Sequence, residues 1–193
     1  MPNTIEPAAS GRAKCRGCGE KIAKEELRLG ARLPNPFDEE SELTLWFHLV
    51  CGAFKRPEPF LEALEAFDGD VDRRDWLEAQ ARTGVEHRRL PRLTGVSRAP
   101  TGRAKCRRCK EAIAKESWRL AIVYYDEEQG RFEPAGFLHP GCGGGYFETT
   151  HFFDRLSHFA PGLTAAELTH LFEEIVAGGV PPQDAESEAS ESP

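Results

Sequence analysis

The sequence predicts an α+β fold made of two small domains, each a short antiparallel sheet with helices C-terminal to it. Three observations predict it. Residues 10–29 align without a gap with 101–120, and fourteen of the twenty positions are identical. All six cysteines obey the same 91-residue offset, Cys15 mapping to Cys106, Cys18 to Cys109 and Cys51 to Cys142, and His48 maps to His139. In each half, strand-like text precedes the histidine and helical text follows it. A mean hydropathy of −0.51 and a charged fraction of 30% speak against one large apolar core. Two small cores need a further source of stability.

The elements follow in order. Residues 1–10 read as an N-terminal tail. The first domain, 11–82, opens on GRAKCRGC, and LRLGARL (Leu27 to Leu33) is its strand. A loop, NPFDEESEL, leads to LWFH and His48. PFLEALEAF then places Phe60, Leu61, Leu64 and Phe67 on one helical face. Asp72 and Asp75 stand where a second helix would be capped. Residues 83–100, rich in Gly, Pro and Arg, read as a basic flexible linker. The second domain, 101–178, repeats the scheme with the stronger strand WRLAIVYY (Trp118 to Tyr125), the loop DEEQGRFEP, and GFLH with His139. HFFDRLSHF aligns Phe152, Phe153, Leu156 and Phe159 at an offset of 92. Thr164-Ala-Ala-Glu167 is a capping box that starts the last helix. Residues 179–193 read as an acidic disordered tail.

Each half spells C-x2-C-x29-H-x2-C. A Cys-x-x-Cys turn brings two thiolates to one tetrahedral ion, and His-x-x-Cys supplies the other corners from a distant segment. Three thiolates and an imidazole suit Zn²⁺. The expected ligands are Cys15, Cys18, His48 and Cys51 in the first unit and Cys106, Cys109, His139 and Cys142 in the second. Four protein ligands close the shell, so two structural Zn²⁺ ions are expected, completing a picture of two zinc-stabilised domains. A redox pair is the competing reading of Cys-x-x-Cys, but it requires no His-x-x-Cys at a matched distance in both halves.

These residues resemble the PARP-type zinc finger, which occurs in tandem in poly(ADP-ribose) polymerase and singly in a vertebrate DNA ligase. The resemblance rests on GRAKCRGCGEKIAKEELRLG, WFHLVC and FLHPGC together with the ligands, and covers nearly all the ordered chain. It implies recognition of DNA strand breaks through the sugar-phosphate backbone, with an apolar loop laid on exposed base pairs. Carried over by position, Arg12, Arg103, Arg28 and Arg119 are backbone contacts. Phe37 and Leu43 are the stacking candidates in the first unit, and Phe132, with Tyr125 nearby, in the second. The sequence departs from the family in acid-rich loops, with Asp38, Glu39, Glu40 and Glu42 in one and Asp126, Glu127, Glu128 and Glu133 in the other. Pro134 stands at the position of the second apolar contact. No length is left for the family's catalytic transferase region, and with every cysteine assigned no nucleophile is visible, so no enzyme is expected.

The residues themselves point the same way. The net charge is −7, yet residues 82–110 carry ten Lys/Arg against one Asp/Glu, a focused basic region suited to a polyanion. Arg12, Lys14 and Arg16 interleave with the first Cys pair, and Arg103, Lys105, Arg107 and Arg108 with the second. A metal-fixed turn pre-orders these cations for phosphate contact. Part of their charge offsets the thiolates. Trp46 and Phe137 are expected to pack the metal shell, His87 to add charge to the basic linker below neutral pH, and His151, His158 and His170 to lie on the surface or pack between helices. The expected partner is broken or nicked DNA bound by a monomer. The alternative is a protein-interaction module that keeps the fold without binding DNA. No apolar run of ~20 residues suggests a membrane span. A cytoplasmic location, bacterial by composition, is expected, or nuclear in a eukaryote.

Overall fold

The structure, a computed structural model, describes residues 2–35, 38–126, 129 and 131–179. The α+β expectation holds. Strands β1 (Thr4–Pro7), β2 (Leu27–Asn35) and β3 (Asp38–His48) form one antiparallel sheet in that order. Strands β4 (Leu93–Arg98), β5 (Trp118–Asp126) and β6 (Arg131–Leu138) form a second, built alike. Helices α1 (Leu49–Lys55), α2 (Pro57–Glu65) and α3 (Arg74–Glu86) follow the first sheet, and α4 (Pro140–Phe147), α5 (Phe153–Phe159) and α6 (Ala165–Gly178) the second. Burial along β5 alternates, with Trp118, Leu120 and Ile122 inward, as a half-covered strand requires.

Each unit has three helices, one more than the text suggests. Helices α1 and α4 are short and begin directly after the histidines, too brief to show a periodicity. On α2, Phe60 and Leu64 are buried with Ala63. On α6 the capping box is made as expected, Thr164 accepting from the Glu167 amide while Glu167 accepts from that of Thr164. Helix α3 lacks this device. Its N-cap is Arg73, in the left-handed region at φ 53°, with no side-chain cap, so Asp72 does not play the part expected of it.

Two of the expected boundaries are corrected. Residues 1–10 are not a tail, because β1 pairs with β2 and Ala8 is fully buried. Residues 83–100 are not a flexible linker: α3 runs to Glu86, a 3-10 turn spans Leu90–Arg92, and β4 joins the second sheet. Leu90, Leu93 and Ala99 are all but fully buried in the second core. The 91-residue offset therefore begins earlier than residue 10. Glu6 pairs with Arg28 as Ser97 pairs with Arg119, and the Ala8 and Ala99 amides donate to Glu26 and Ser117 carbonyls at 2.9 Å in both cases. Residues 180–193, all but the first residue of the expected acidic tail, and Phe37 lie outside the described residues.

The units are packed on each other through α1 and α5. Phe54 on α1 is fully buried and meets His158 and Phe159 at ring separations of 5.5 and 5.9 Å. Arg155, fully buried, donates to the Phe54 carbonyl at 2.7 Å and to that of Gln80 at 2.9 Å. Lys55 donates to the Leu93 carbonyl at 2.5 Å. Burial, with the charge of Arg155 adding to it, pushes the Lys55 ammonium down to about 7, and burial brings Arg155 to about 9. Buried polar groups are tolerable when hydrogen-bonded, as Lys55 Nζ and both terminal nitrogens of Arg155 are, whereas Arg155 Nε is buried with no partner. These cations are spent on main-chain carbonyls across the junction.

Candidate metal centres and nucleic-acid face

The Cys-x-x-Cys turns are closed by main-chain bonds. The Cys15 amide donates to the Glu20 carbonyl at 2.8 Å and Gly19 returns a bond to Cys15 at 2.9 Å. Cys106, Glu111 and Lys110 repeat this at 2.9 and 3.0 Å. The closing residue sits at positive φ, 82° for Gly19 and 68° for Lys110. Glycine takes that conformation without steric cost, whereas lysine does not.

The fold gathers the ligands as the spacing predicts. The donor atoms of Cys15, Cys18, His48 and Cys51 lie within 4.8 Å of one another, as do those of Cys106, Cys109, His139 and Cys142. The two histidines are placed alike. Nδ1 of His48 lies 3.4 Å from Cys18 Sγ while its Nε2 lies 3.3 Å from the Lys21 carbonyl. His139 repeats both distances with Cys109 and Ala112. A carbonyl that accepts from Nε2–H leaves the Nδ1 lone pair for the metal. Main-chain amides of Gly17 and His48 point at Cys15 Sγ from 3.3 and 3.4 Å.

The thiol electrostatics call for a cation. A hydrogen bond from Cys51, aided by amides of Cys18, His48 and Gly17, pulls the Cys15 thiol down to about 4, while the same contact pushes Cys51 up. Burial raises Cys18. In the second cluster burial works against ionisation of Cys106, but amides of Cys109, His139 and Arg108 outweigh it and bring the thiol to about 7. Burial, with the charge of Cys106, pushes Cys142 up to about 12. The neighbouring thiols thus oppose one another's ionisation, and a divalent ion supplies the charge that lets three thiolates coexist. The chain binds two Zn²⁺ ions, one in each Cys3His cluster.

The expected DNA-contact residues fall into three groups. Arg12, Lys14, Arg16, Arg103, Lys105, Arg107 and Arg108 are all exposed on the two turns. Each turn is tied to an aromatic, the Arg16 amide donating to the Trp46 carbonyl at 2.9 Å and the Arg107 amide to that of Phe137 at 2.8 Å. Lys14, Arg16, Thr44 and Trp46 line one open cleft. Arg28 and Arg119 stack on these rings, 3.4 Å from the centre of Trp46 and 3.6 Å from that of Phe137. Trp46 and Phe137 therefore pack the turn and also carry an arginine.

Arg28 and Arg119 are not equivalent. Arg28 is 8% exposed and donates to Glu6 at 2.7 Å. Arg119 is half-buried and meets Ser97 Oγ at 3.1 Å instead. The stacking candidates are corrected in part. Phe132 does not sit at a loop tip. It packs edge-on against Tyr125 at 5.2 Å and Phe47 at 6.4 Å, with Lys55 5.7 Å from its ring, and so joins the two units. Leu43 is half-buried on β3, opposite Leu33 and against the first core. Phe37 lies outside the described residues, as do the side chains of Asp38, Glu39 and Glu40.

Sequence reasoning missed the inter-unit residues. Arg155 stands beside aromatics in helical text, where an outward-facing polar residue is the ordinary reading, while His158 packs between helices, one of its two expected places, but against the other unit. Glu6 was hidden by the assignment of residues 1–10 to a tail. Extending the repeat upstream by four residues would have aligned Glu6 with Ser97 and found it.

Residues 6–88 match the family described as the Poly(ADP-ribose) polymerase and DNA-Ligase Zn-finger region. The Poly [ADP-ribose] polymerase of Drosophila melanogaster is 29% identical over 147 residues, 67% of this chain and 14% of that protein. Poly [ADP-ribose] polymerase 1 of Gallus gallus is 27% identical over 161 residues, 73% of this chain and 15% of that one. The Polynucleotide 3'-phosphatase ZDP of Arabidopsis thaliana is 27% identical over 168 residues, 74% of this chain and 24% of that one. The chain thus spans a quarter or less of the length of these relatives.

Proposed function

We propose that this chain carries two PARP-type zinc fingers in tandem, the first matched directly by the family at residues 6–88, and that it binds DNA at strand breaks through the backbone rather than through sequence. One observation carries the reading. Each zinc-ordered turn presents exposed Arg and Lys beside an arginine-stacked aromatic, twice, in matching geometry. Guanidinium groups pre-ordered in this way suit phosphate oxygens, and backbone contacts make up most protein–DNA hydrogen bonds. The half-buried rings of Trp46 and Phe137, each carrying an arginine on one face, lie beside them.

The fingers meet DNA as a preset pair. Because 83–100 is structured and the units share a packed junction, their spacing is fixed by the fold and owes nothing to the length of a flexible tether. Trp46 and Phe137, rather than Phe132, are the rings at the basic faces. The two zinc shells are structural in this reading: all six cysteines belong to four-ligand clusters, which leave no position for an activated water. The chain's place is wherever the cell keeps its DNA.

A titration of matched DNAs tests the proposal. Nicked and blunt-ended duplexes are expected to bind more tightly than a covalently closed circle of the same sequence, with log affinity falling linearly against log salt. Equal affinity for all three would sink break recognition. No binding to any of them at low salt would favour a protein-interaction module, a reading supported by the burial of Arg28 and the packing of Phe132 on Phe47 and Tyr125.

A further inference from the structure

His158 belongs to the second unit, yet its Nε2 lies 3.1 Å from Sγ of Cys51, a ligand of the first. The ring is held from two sides, edge-on to Phe54 at 5.5 Å and to Phe159 at 4.8 Å. Its helix, α5, is fixed to the first unit by the two Arg155 hydrogen bonds one turn earlier. On the receiving side, Cys51 and Phe54 share α1, so the metal ligand and the docking aromatic are a single rigid piece. Cys51 is completely buried. Gly17 lies so close to it that a Cβ there would come within 2.7 Å of the Cys51 Cβ.

Among the described residues, no side chain of the other unit meets a thiol of the second cluster in this way. At the 92-residue offset that relates the helices, Ala66 is the counterpart of His158, so the first unit carries no equivalent histidine. Arg108 replaces Gly17. Cys142 is half-exposed, and its recorded polar contact among the described residues is with its own His139 at 4.0 Å. The two Cys3His clusters are alike in ligands and unlike in surroundings.

We propose that His158 is an outer-shell donor to the first zinc site, its Nε2–H bonding the Cys51 thiolate, so that metal retention there and docking of the two fingers depend on each other. A donor aimed at a bound thiolate stabilises its charge without competing for the metal, and outer-shell partners commonly change metal affinity by roughly 10–100-fold. The first site then keeps its metal longer than the second. Losing that metal loosens the junction, because α1 loses the tie that holds Cys51 in place. Zinc at one site thus serves as a pin between domains as well as within one.

The test uses the full chain loaded with Cd²⁺ at both sites. Cadmium-113 NMR is expected to give two resonances, assigned through coupling to the ligand cysteine protons. His158→Phe keeps the ring packing and removes the donor. It is expected to shift the first-site resonance and leave the second in place. In the zinc-loaded chain, metal transfer to a chromogenic chelator is expected in two phases of one equivalent each. His158→Phe is expected to speed the slow phase about tenfold without changing the fast one. His158→Gln, which can still offer an N–H, is expected to recover part of the slow phase. A variant in which neither resonance moves and neither phase changes overturns the proposal. So does one in which both phases accelerate together, since that marks a general loss of stability.

Discussion

At the scale of single residues, the repeat is most informative where its two copies differ. Arg28 and Arg119 occupy the same place on the same strand, each over an aromatic ring, yet one faces Glu6 and the other Ser97. A carboxylate 2.7 Å away competes with any phosphate for the guanidinium, whereas a serine hydroxyl does not. Exchanging the partners therefore moves DNA affinity in opposite directions. Glu6→Ser is expected to tighten binding several-fold and steepen the log-affinity against log-salt slope by about 0.9, the value for one more phosphate contact. Ser97→Glu is expected to weaken binding and flatten the slope by a similar amount. Identical shifts from both variants would show that neither arginine meets phosphate. The metal ligands were fully legible in the text, because a four-ligand shell imposes spacing on the sequence. The partner of Arg28 was not, because a strand pairing leaves no spacing of its own.

At the scale of elements, the strands and longer helices could be read because periodicity and capping act locally. Trp118 to Tyr125 is rich in β-branched and aromatic residues, and Thr164 with Glu167 announces α6. The failures were short or doubly employed elements. Helices α1 and α4 fall below the length at which a period shows. Residues 83–100 hold a helix end, a 3-10 turn and a strand, but their Gly, Pro and Arg content masks the few buried positions, Leu90, Leu93 and Ala99. Polar residues of α5 read as solvent-facing because nothing local reveals a second unit over them. Arg155 shows the consequence. Truncation to Leu leaves the Phe54 and Gln80 carbonyls without their donor inside the junction. That is expected to lower stability by about 2–4 kcal/mol and to split one cooperative melt into two. Calorimetry of the zinc-loaded chain checks this, and a single transition at an unchanged midpoint would refute the assigned role.

At the scale of the whole molecule, two small cores, two metal shells and one junction make a single object. Structural zinc contributes on the order of 10–16 kcal/mol of apparent binding energy in finger peptides, comparable with or larger than the net stability of an ordinary domain. Complete chelation is therefore expected to abolish the folded far-ultraviolet circular dichroism signal, and re-addition of Zn²⁺ to restore it. An unchanged spectrum after metal removal would mean that the cores stand alone. The claim on which the rest depends is that the fingers form one body before any DNA arrives. Nitrogen-15 relaxation of the DNA-free, zinc-loaded chain measures it directly. The account predicts one rotational correlation time for amides of β1–α3 and β4–α6 alike. Two distinct and shorter times, one for each finger, would contradict it.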